Sequence, residues 1–446
     1  MREFFGTDGV RGIANKDLTV HLSLRLARAA ATVLRRTEDA RLRVLMGRDT
    51  RLSGDMIEAA MIAGFCSAGA DVINVGVIPT PGVAYLARVL DVDMGVVISA
   101  SHNPFAFNGI KFFSHQGFKL PDDVELDIEA KVNSSEHLPH PVGDDLGRRL
   151  PDAGIAERYI DYLRALAPDG LSGLKLVVDC ANGAVSHIAP ALLRELGADV
   201  IPINDDPDGI NINAGCGATH PEVVARAVRE HGADVGLSFD GDADRLLLSD
   251  ERGAVVDGDR IMALTAQHLA SQGRLPGGLV VGTVMSNLGL ERGLERLGLR
   301  LLRTKVGDRY VLEEMVAQGA VLGGEQSGHI IYLDHATTGD GLVTALMVLK
   351  QLREAHETLS QLASVMEVFP QKLINITVAE VKGWDAHSVI RRAIADAETD
   401  LGDSGRVLVR ASGTEPKIRV MVEALQSEKV DYWSGYLAEV ISTQLT

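Results

Sequence analysis

The order of strands and helices repeats three times along the chain, and this repetition limits the fold more than any single segment does. Each repeat reads strand, helix, strand, helix and then a strongly apolar strand. The three apolar strands are predicted at residues 95–98, 235–239 and 321–322, and a polar loop follows each of them. Alternating strands and helices are typical of a parallel or mixed sheet covered by helices. The sequence therefore predicts an α/β fold with three similar mixed-sheet domains.

A fourth part of the chain has a different order. Residues 373–378, 406–409 and 418–422 are predicted strands, and a helix is predicted around residues 388–398. This order is typical of a smaller α+β domain at the C-terminal end. Polar stretches that contain Pro and Gly separate the parts, and they divide the chain into predicted domains at 1–150, 151–255, 256–369 and 370–446.

Polar side chains follow the three apolar strands at their carboxyl ends. These side chains are Ser101, Asp240 and Glu325. Open α/β sheets bind their ligands beyond the carboxyl ends of the strands. We therefore expect the three positions to be equivalent and the domains to surround a central cleft.

Composition limits the class of partner. The chain has 446 residues, of which 46% are apolar and 24% charged, so two to four domains with buried cores are expected. The formal net charge of −17 argues against nucleic-acid and membrane partners, whose phosphates it would repel. The three cysteines, Cys66, Cys180 and Cys216, have neither metal-binding nor redox spacing. Because no apolar leader or membrane-length run is present, we expect a cytoplasmic protein with reduced thiols.

Residues 240–245 read Asp-Gly-Asp-Ala-Asp-Arg and predict a metal site. Aspartates at alternate positions let a turning backbone direct three carboxylates to one point, as a hard divalent cation requires. An EF-hand calcium loop is excluded because Arg245 stands where that loop needs glycine, and because the flanking segments read as strands. A solvated acidic turn is the other alternative, but three like charges beside apolar strands repel one another without a cation. The predicted ligands are Asp240, Asp242 and Asp244.

Residues 99–104 read Ser-Ala-Ser-His-Asn-Pro, and Ser101 offers a hydroxyl that could carry a phosphoryl group. The adjacent His102 does not predict a hydrolase, because neighbouring residues rarely align hydroxyl and imidazole and no Gly-x-Ser-x-Gly elbow surrounds the serine. Lys111 follows a predicted turn at residues 108–109 that could return it to Ser101. Together with the acidic loop, this serine predicts phosphoryl transfer through a protein hydroxyl.

Two further loops have the composition of binding sites. In residues 410–416, hydroxyls and a glycine follow an arginine, which predicts a phosphate cradle, with a plain β-hairpin turn as the alternative. The residues of this predicted cradle are Arg410, Ser412, Gly413, Thr414 and Arg419. Residues 324–329 offer Glu325, Ser327 and His329, whose polar groups are of the kind that hold sugar hydroxyls. For His329, a hydrogen-bonded role within the loop is the alternative.

Five segments in chain order resemble the successive motifs of the α-D-phosphohexomutases. These segments are residues 6–12, 99–104, 240–245, 324–329 and 410–416. The resemblance covers the whole chain, and residues 6–12, 304–310 and 324–342 are similar to the bacterial phosphoglucosamine mutases within that superfamily. Two departures are present: residues 105–107 lack the family's usual tyrosines and acidic residue, and Ala411 stands where a bulkier residue or proline is common.

The resemblance implies a phosphoserine at Ser101 and an isomerase reaction. Glucosamine 6-phosphate and glucosamine 1-phosphate would be interconverted through glucosamine 1,6-bisphosphate, which supplies UDP-N-acetylglucosamine synthesis for cell-wall precursors. It also implies one Mg²⁺, held by the three aspartates and the serine phosphate. Arg11, Lys111 and Arg245 would surround the phosphoryl group, and Lys111 or His329 would move the hydroxyl proton. Glu325 and Ser327 would bind sugar hydroxyls, and the cradle would bind the phosphate that is not reacting.

Alternatives stay open at this point. A phosphoglucomutase or phosphomannomutase of the same superfamily is the closest one, because no motif clearly recognises the 2-amino group. The cradle argues against a Mg²⁺-dependent phosphatase, and the intact Ser101 and Lys111 argue against a non-catalytic sugar-phosphate sensor. The sequence does not determine whether a kinase, autophosphorylation or the bisphosphate first phosphorylates Ser101. It does not determine the oligomeric state either, and a homodimer is one alternative.

Overall fold

The computed structural model of the chain describes residues 3–6, 8–35, 41–134, 138–412 and 416–445. They form two compact units. The first unit comprises Met1–Met285 and Leu302–Val365, and the second comprises Ser286–Leu301 and Met366–Thr446. This division is coarser than the four predicted domains, whose boundaries stay a prediction.

The first module of the first unit is a six-stranded mixed sheet with helices. Its elements are β1 (Val10–Ile13), α1 (Val20–Val33), β2 (Arg43–Arg48), α2 (Gly54–Ser67), β3 (Asp71–Val77), α3 (Thr80–Val89), β4 (Met94–Ile98), β5 (Phe107–Ser114), α4 (Asp122–Asn133) and β6 (Arg149–Leu150). The strand order is β1-β5-β4-β2-β3-β6. Strand β5 is antiparallel to both of its neighbours, whereas β4, β2, β3 and β6 are parallel.

Strand β4 is the buried centre of this module. All five of its residues, Met-Gly-Val-Val-Ile, are buried, because β5 and β2 flank it and helices cover the sheet. Leu26 of α1, Ile57 and Phe65 of α2 and Val96 of β4 belong to one apolar cluster. A continuous apolar run is what a central strand of this kind requires. The strand therefore provides a fixed base for the turn that follows it.

The second module has a five-stranded mixed sheet. The elements in this part of the chain are α5 (Glu157–Ala165), β7 (Lys175–Asp179), α6 (Ala189–Glu195), β8 (Asp199–Ile203), α7 (Pro221–His231), β9 (Val235–Phe239), β10 (Leu246–Ser249), β11 (Val255–Val256) and α8 (Gly258–Ser271). The strand order is β11-β10-β9-β7-β8. Strands β9, β7 and β8 are parallel, and β10 is antiparallel to β9 and β11.

The third module has a four-stranded sheet in the order β13-β12-β14-β15. The elements in this part of the chain are β12 (Leu279–Thr283), α9 (Leu288–Arg296), β13 (Arg300–Thr304), α10 (Asp308–Gln318), β14 (Leu322–Gly324), β15 (Ile330–Tyr332), α11 (Gly341–Ala355) and α12 (Leu359–Leu362). Strands β12 and β14 are parallel, and β15 is antiparallel to β14. Helix α9 lies within the residues assigned to the second compact unit.

The three sheets share one strand order. The segments β5-β4-β2-β3, β10-β9-β7-β8 and β15-β14-β12-β13 correspond strand by strand, and in each an antiparallel strand follows the central one. The predicted threefold repetition of an α/β mixed-sheet module is confirmed. Ser101, Asp240 and Glu325 follow the three corresponding strands β4, β9 and β14.

The turn predicted at Asn108 and Gly109 is wrong. Both residues are buried within β5, where they pair with Gly12 and Arg11 of β1. Glycine is needed at this point because a Cβ on Gly109 would lie 2.5 Å from the carbonyl oxygen of Ser99. Close strand packing therefore explains the Asn-Gly pair that resembles a turn signal.

The second unit contains a three-stranded antiparallel sheet in the order β16-β18-β17. Its C-terminal elements are β16 (Gln371–Thr377), α13 (Ser388–Leu401), β17 (Gly405–Ala411), β18 (Lys417–Ala424) and α14 (Ser427–Leu445). Ile390 and Leu401 of α13 and Leu437 and Ile441 of α14 are part of its apolar core. The predicted C-terminal α+β fold is confirmed. Among the residues described, no helix is both long enough and apolar enough to span a membrane.

Candidate active site

Ser101 lies in the turn after β4, and its hydroxyl points to the second module. Ser101 Oγ donates a hydrogen bond of 2.6 Å to Asp240 Oδ2, and the residue is only 1% exposed. Its φ angle is 52°, in the left-handed region that residues other than glycine rarely adopt. Strained backbone of this kind persists where the surroundings enforce it, often at functional sites.

Asp240, Asp242 and Asp244 lie in the loop between β9 and β10, and all three are buried. One oxygen of each lies within 4.8 Å of the others. Gly241 is needed in this loop because a Cβ there would lie 2.7 Å from the carbonyl oxygen of Ser101. The loop therefore brings three carboxylates and the Ser101 hydroxyl to one point.

The charges of this triad fit a cation. Atoms Oδ1 of Asp242 and Asp244 are buried and accept no hydrogen bond from the described part of the chain. Burial, together with the charges of Asp244 and Asp242, raises the pKa of Asp240 well above its ordinary value. Buried carboxylate oxygens without a partner are costly, and a hard cation prefers oxygen ligands such as these. The residues present could therefore hold a metal ion.

Lys111 on β5 reaches the same point. Its Nζ lies 2.9 Å from Asp242 Oδ2, 3.1 Å from Asp8 Oδ2 and 3.5 Å from Asp244 Oδ2. Burial opposes its charge, but the carboxylates of Asp242 and Asp8 outweigh burial and raise the pKa of Lys111. Thr80 Oγ1 also donates to Asp242 Oδ2, at 2.6 Å. Lys111 is therefore held as a cation between the first and second modules.

A cavity of about 380 Å³ lies beside the triad, with Asp244 in its wall. Four side chains predicted from the sequence also line it: Arg11, Arg245, Glu325 and His329. Glu325 Oε1 accepts the amide N–H of Gly307 at 3.1 Å. The predicted residue Ser327 is not in this wall, and its buried hydroxyl has no hydrogen-bond partner among the described residues.

His329 is engaged on both ring nitrogens. Its Nε2 accepts the amide N–H of Gly339 at 2.9 Å, and its Nδ1 lies 3.7 Å from Asp244 Oδ2. Burial lowers the pKa of His329, but the carboxylates of Asp244 and Asp308 outweigh burial and raise it. Because Nε2 accepts this backbone N–H, the neutral ring carries its proton on Nδ1, beside Asp244.

Two arginines in the wall keep unused hydrogen-bonding capacity. Arg11 forms an ion pair with Asp8, and Arg245 Nε lies 3.7 Å from Asp244 Oδ1. The buried Nε of each arginine has no hydrogen-bond partner within the described ranges. Guanidinium N–H groups bind phosphate oxygens strongly. The cavity thus offers cationic donors to an anion although the chain is acidic overall.

Sequence reasoning missed Asp8 and Lys119. Asp8 forms ion pairs with Arg11, Lys111 and Lys119, and the two lysines hold its pKa well below the ordinary value although burial opposes them. Lys119 also pairs with Asp308 at the start of α10. The opening motif could have revealed Asp8, which lies three positions before Arg11. Lys119 gave no signal, because its partners lie 111 and 189 positions away.

In the second unit, Arg410 of β17 and Arg419 of β18 lie opposite each other. Burial and the charge of Arg419 lower the pKa of Arg410. Among the described residues, no carboxylate forms an ion pair with either arginine, and the buried Arg419 Nε and Ser412 Oγ have no hydrogen-bond partner. Two adjacent cations and a free hydroxyl are typical of an anion site. The predicted cradle residues Gly413 and Thr414 lie outside the described residues.

The chain matches four family models in succession. They are phosphoglucomutase/phosphomannomutase alpha/beta/alpha domain I at residues 2–138, domain II at 157–253, domain III at 257–369 and the C-terminal domain at 373–439. The chain belongs to this family. As a phosphohexomutase, it is an isomerase that transfers a phosphoryl group.

Relatives and solved structures agree with this assignment. The phosphoglucosamine mutase of Alkaliphilus oremlandii is 52% identical over 450 residues, which cover 100% of each chain. A phosphoglucomutase/phosphomannomutase family protein from Burkholderia thailandensis is 26% identical, with a TM-score of 0.82 over 98% of this chain and 97% of that one. The N-acetylphosphoglucosamine mutase of Aspergillus fumigatus, solved with GlcNAc-6P and magnesium, is 19% identical, with a TM-score of 0.68 over 100% of this chain and 96% of that one. The similarity to the Aspergillus structure supports the fold alone.

The substitution Asp242→Asn tests the metal site of this phosphohexomutase. It removes one of three negative charges, so we expect weaker binding of Mg²⁺ in calorimetry and slower turnover, with an unchanged melting temperature within a few degrees. Asp234→Asn is the matched control, because it makes the same charge change at an exposed position of the second module. Full turnover of the wild-type protein after treatment with a chelator would contradict the metal site.

Proposed function

We propose that the protein interconverts glucosamine 6-phosphate and glucosamine 1-phosphate through a phosphoserine at Ser101 and glucosamine 1,6-bisphosphate. The observation that carries this proposal is the 2.6 Å hydrogen bond from the buried Ser101 hydroxyl to Asp240, within a carboxylate triad that fits a cation. The name of the full-length relative from Alkaliphilus supports the amino sugar as substrate. The product would supply UDP-N-acetylglucosamine synthesis.

The reaction consists of two phosphoryl transfers. The phosphoserine first donates its phosphoryl group to the free hydroxyl of the sugar phosphate, so the bond to Ser101 Oγ breaks and a sugar phosphate ester forms. The bisphosphate then turns around and returns its other phosphoryl group to Ser101. Lys111 or His329 moves the proton of the reacting hydroxyl, and His329 would use Nδ1 because Nε2 is engaged by Gly339. The serine ester is restored in each cycle.

Charge neutralisation supports both transfers. Asp240, Asp242, Asp244 and the Ser101 phosphate would hold one Mg²⁺, which supplies positive charge to the transferring group when bound. The magnesium in the Aspergillus structure supports this choice of cation. The buried Lys111 and the partly buried Arg11 and Arg245 add fixed positive charges, which stabilise the transition state more than they would in water.

Substrate binding requires groups that accept both orientations of the sugar. We assign the sugar hydroxyls to Glu325 and Ser327, which offer a carboxylate and a hydroxyl. We assign the phosphate that is not reacting to the cradle of Arg410, Ser412, Gly413, Thr414 and Arg419. The facing arginines, which lack a carboxylate partner among the described residues, support that assignment.

The organisation of the chain completes the proposal. We place the phosphoserine in a domain of residues 1–150, the metal loop in 151–255, the sugar loop in 256–369 and the cradle in 370–446. The protein would act in the cytoplasm. Its first phosphoryl group would come from a kinase, from autophosphorylation or from the bisphosphate.

This prediction concerns the phosphoserine. A fraction of the isolated protein should carry phosphate on Ser101, and Ser101→Ala should abolish turnover because it removes the hydroxyl that would carry the phosphoryl group beside Asp240. Peptide mass spectrometry locates the phosphate, and a coupled assay measures turnover. Full activity of the alanine variant, or phosphate at another residue only, would refute the mechanism.

Arg410→Ala tests the cradle. The loss of a charge-assisted hydrogen bond costs about 1.5–3 kcal/mol, so kcat/KM should fall roughly 10- to 200-fold. The phosphate on Ser101 should remain. Arg392→Ala, at an exposed position of α13, is the matched control for the loss of an arginine in the same unit. Loss of the phosphoserine with unchanged KM would show that the cradle is wrongly assigned.

Competition between substrates separates this function from a phosphoglucomutase or phosphomannomutase. A small substituent such as the 2-amino group gives only modest selectivity between substrates. We therefore expect glucosamine 6-phosphate to be the best substrate and glucose 6-phosphate to react measurably but much more slowly. Glu325→Gln should slow the reaction of both substrates, because it disturbs the binding of hydroxyl groups that both sugars have. A kcat/KM for glucose or mannose phosphate that equals or exceeds the value for the amino sugar would favour the alternative function.

A further inference from the structure

A buried arginine holds the turn that carries Ser101. Arg51 follows β2 and is 1% exposed. Its Nη2 donates to the carbonyl oxygens of Ser101 and Asn103, both at 2.8 Å. Its Nη1 donates to those of Pro104 at 2.6 Å and Phe107 at 3.0 Å. One side chain therefore fixes four carbonyl groups of the turn, from its first residue to the start of β5.

Two other side chains fix the backbone of Ser101. Asn213, from the second module, donates its Nδ2 to the Ser101 carbonyl oxygen at 2.9 Å. Ser99 Oγ accepts the Ser101 amide N–H at 2.9 Å and donates to Asp49. Asp49 also forms the ion pair with Arg51 Nε, at 2.8 Å. Both backbone polar groups of Ser101 are thus engaged, and the carbonyl is engaged twice.

We propose that Arg51 and Asn213 are positioning residues, which hold Ser101 in its left-handed backbone conformation and so aim its oxygen for phosphoryl transfer. This inference rests on the proposed function. A serine at a φ angle of 52° stores strain, so it needs partners that enforce the conformation. The planar fork of guanidinium suits several fixed acceptors, whereas an ammonium group does not.

The spatial arrangement adds a second reason. A Cβ on Gly241 would lie 2.7 Å from both the Ser101 carbonyl oxygen and Asn213 Nδ2, so the metal loop packs directly on this contact. A shift of the Ser101 backbone would therefore also move its oxygen relative to Asp240. Because a misplacement of about 1 Å can slow an enzymatic reaction roughly 100-fold, such a shift should affect the chemical step.

Arg51→Lys is the first test. Lysine keeps the positive charge beside Asp49 but cannot donate to all four carbonyl groups. We expect phosphoryl transfer from the phosphoenzyme to the sugar to slow at least about ten-fold, while KM changes less than about three-fold. The rate is measured in single turnovers per phosphorylated Ser101, so unfolded protein does not contribute. Arg353→Lys is the control, since Arg353 also binds backbone carbonyls, those of Asp169 and Gly170, away from Ser101.

Asn213→Gly is the second test. It tests the positioning role of Asn213 even if the Arg51→Lys variant does not fold. Glycine accepts the φ angle of 57° at this position, so the variant removes the carboxamide without adding strain. We again expect phosphoryl transfer to slow at least about ten-fold while KM changes less than about three-fold. A wild-type transfer rate per phosphoserine in a folded variant would overturn the positioning role of that residue. Wild-type protein that never carries phosphate on Ser101 would instead overturn the proposed function.

Discussion

The repulsion between buried carboxylates is the constraint on which the site depends. Asp240, Asp242 and Asp244 share one loop, and Asp8 approaches them from the first module. Like charges in a protein interior repel more strongly than they do in water, and each also loses hydration. Lys111 compensates for part of this cost, since its ammonium group lies within 3.5 Å of three of the four carboxylates. Oδ1 of Asp242 and Oδ1 of Asp244 accept no hydrogen bond from the described residues, and a metal ion could bind both oxygens.

The same charges connect the three modules of the first unit. Asp242 of the second module pairs with Lys111 of the first, Lys111 with Asp8, Asp8 with Lys119, and Lys119 with Asp308 of the third. Negative and positive groups alternate along this series of ion pairs. Buried pairs of this kind are screened little by salt. A phosphoryl group on Ser101 adds almost two negative charges at one end of it. The cations of this series are therefore structural partners of the aspartates, and they are also the groups that face the reacting phosphate.

Much of the fold and of the chemistry could be predicted because the signals are contiguous. Each apolar strand and its following polar loop occupy neighbouring positions, so the repeated modules, Ser101 and the aspartates were all visible in the sequence. The position of Lys111 could not be predicted in this way. An Asn-Gly pair normally favours a turn, but at residues 108–109 the pairing of β5 with β1 outweighs that local preference. Tertiary pairing, which a single sequence does not display, places Lys111 beside Asp242.

Positioning is harder to predict than chemistry for the same reason. Arg51 and Asn213 contact Ser101 from 50 and 112 positions away. The type of a residue shows what it can bind, but its distance from a reacting atom is set by the strands and loops that carry it. Arg51 directs its Nε to Asp49 and its remaining donors to four carbonyl groups of the Ser101 turn. An arginine whose donors are all engaged in this way cannot also bind a substrate phosphate. Its effect on catalysis must therefore act through the geometry of Ser101.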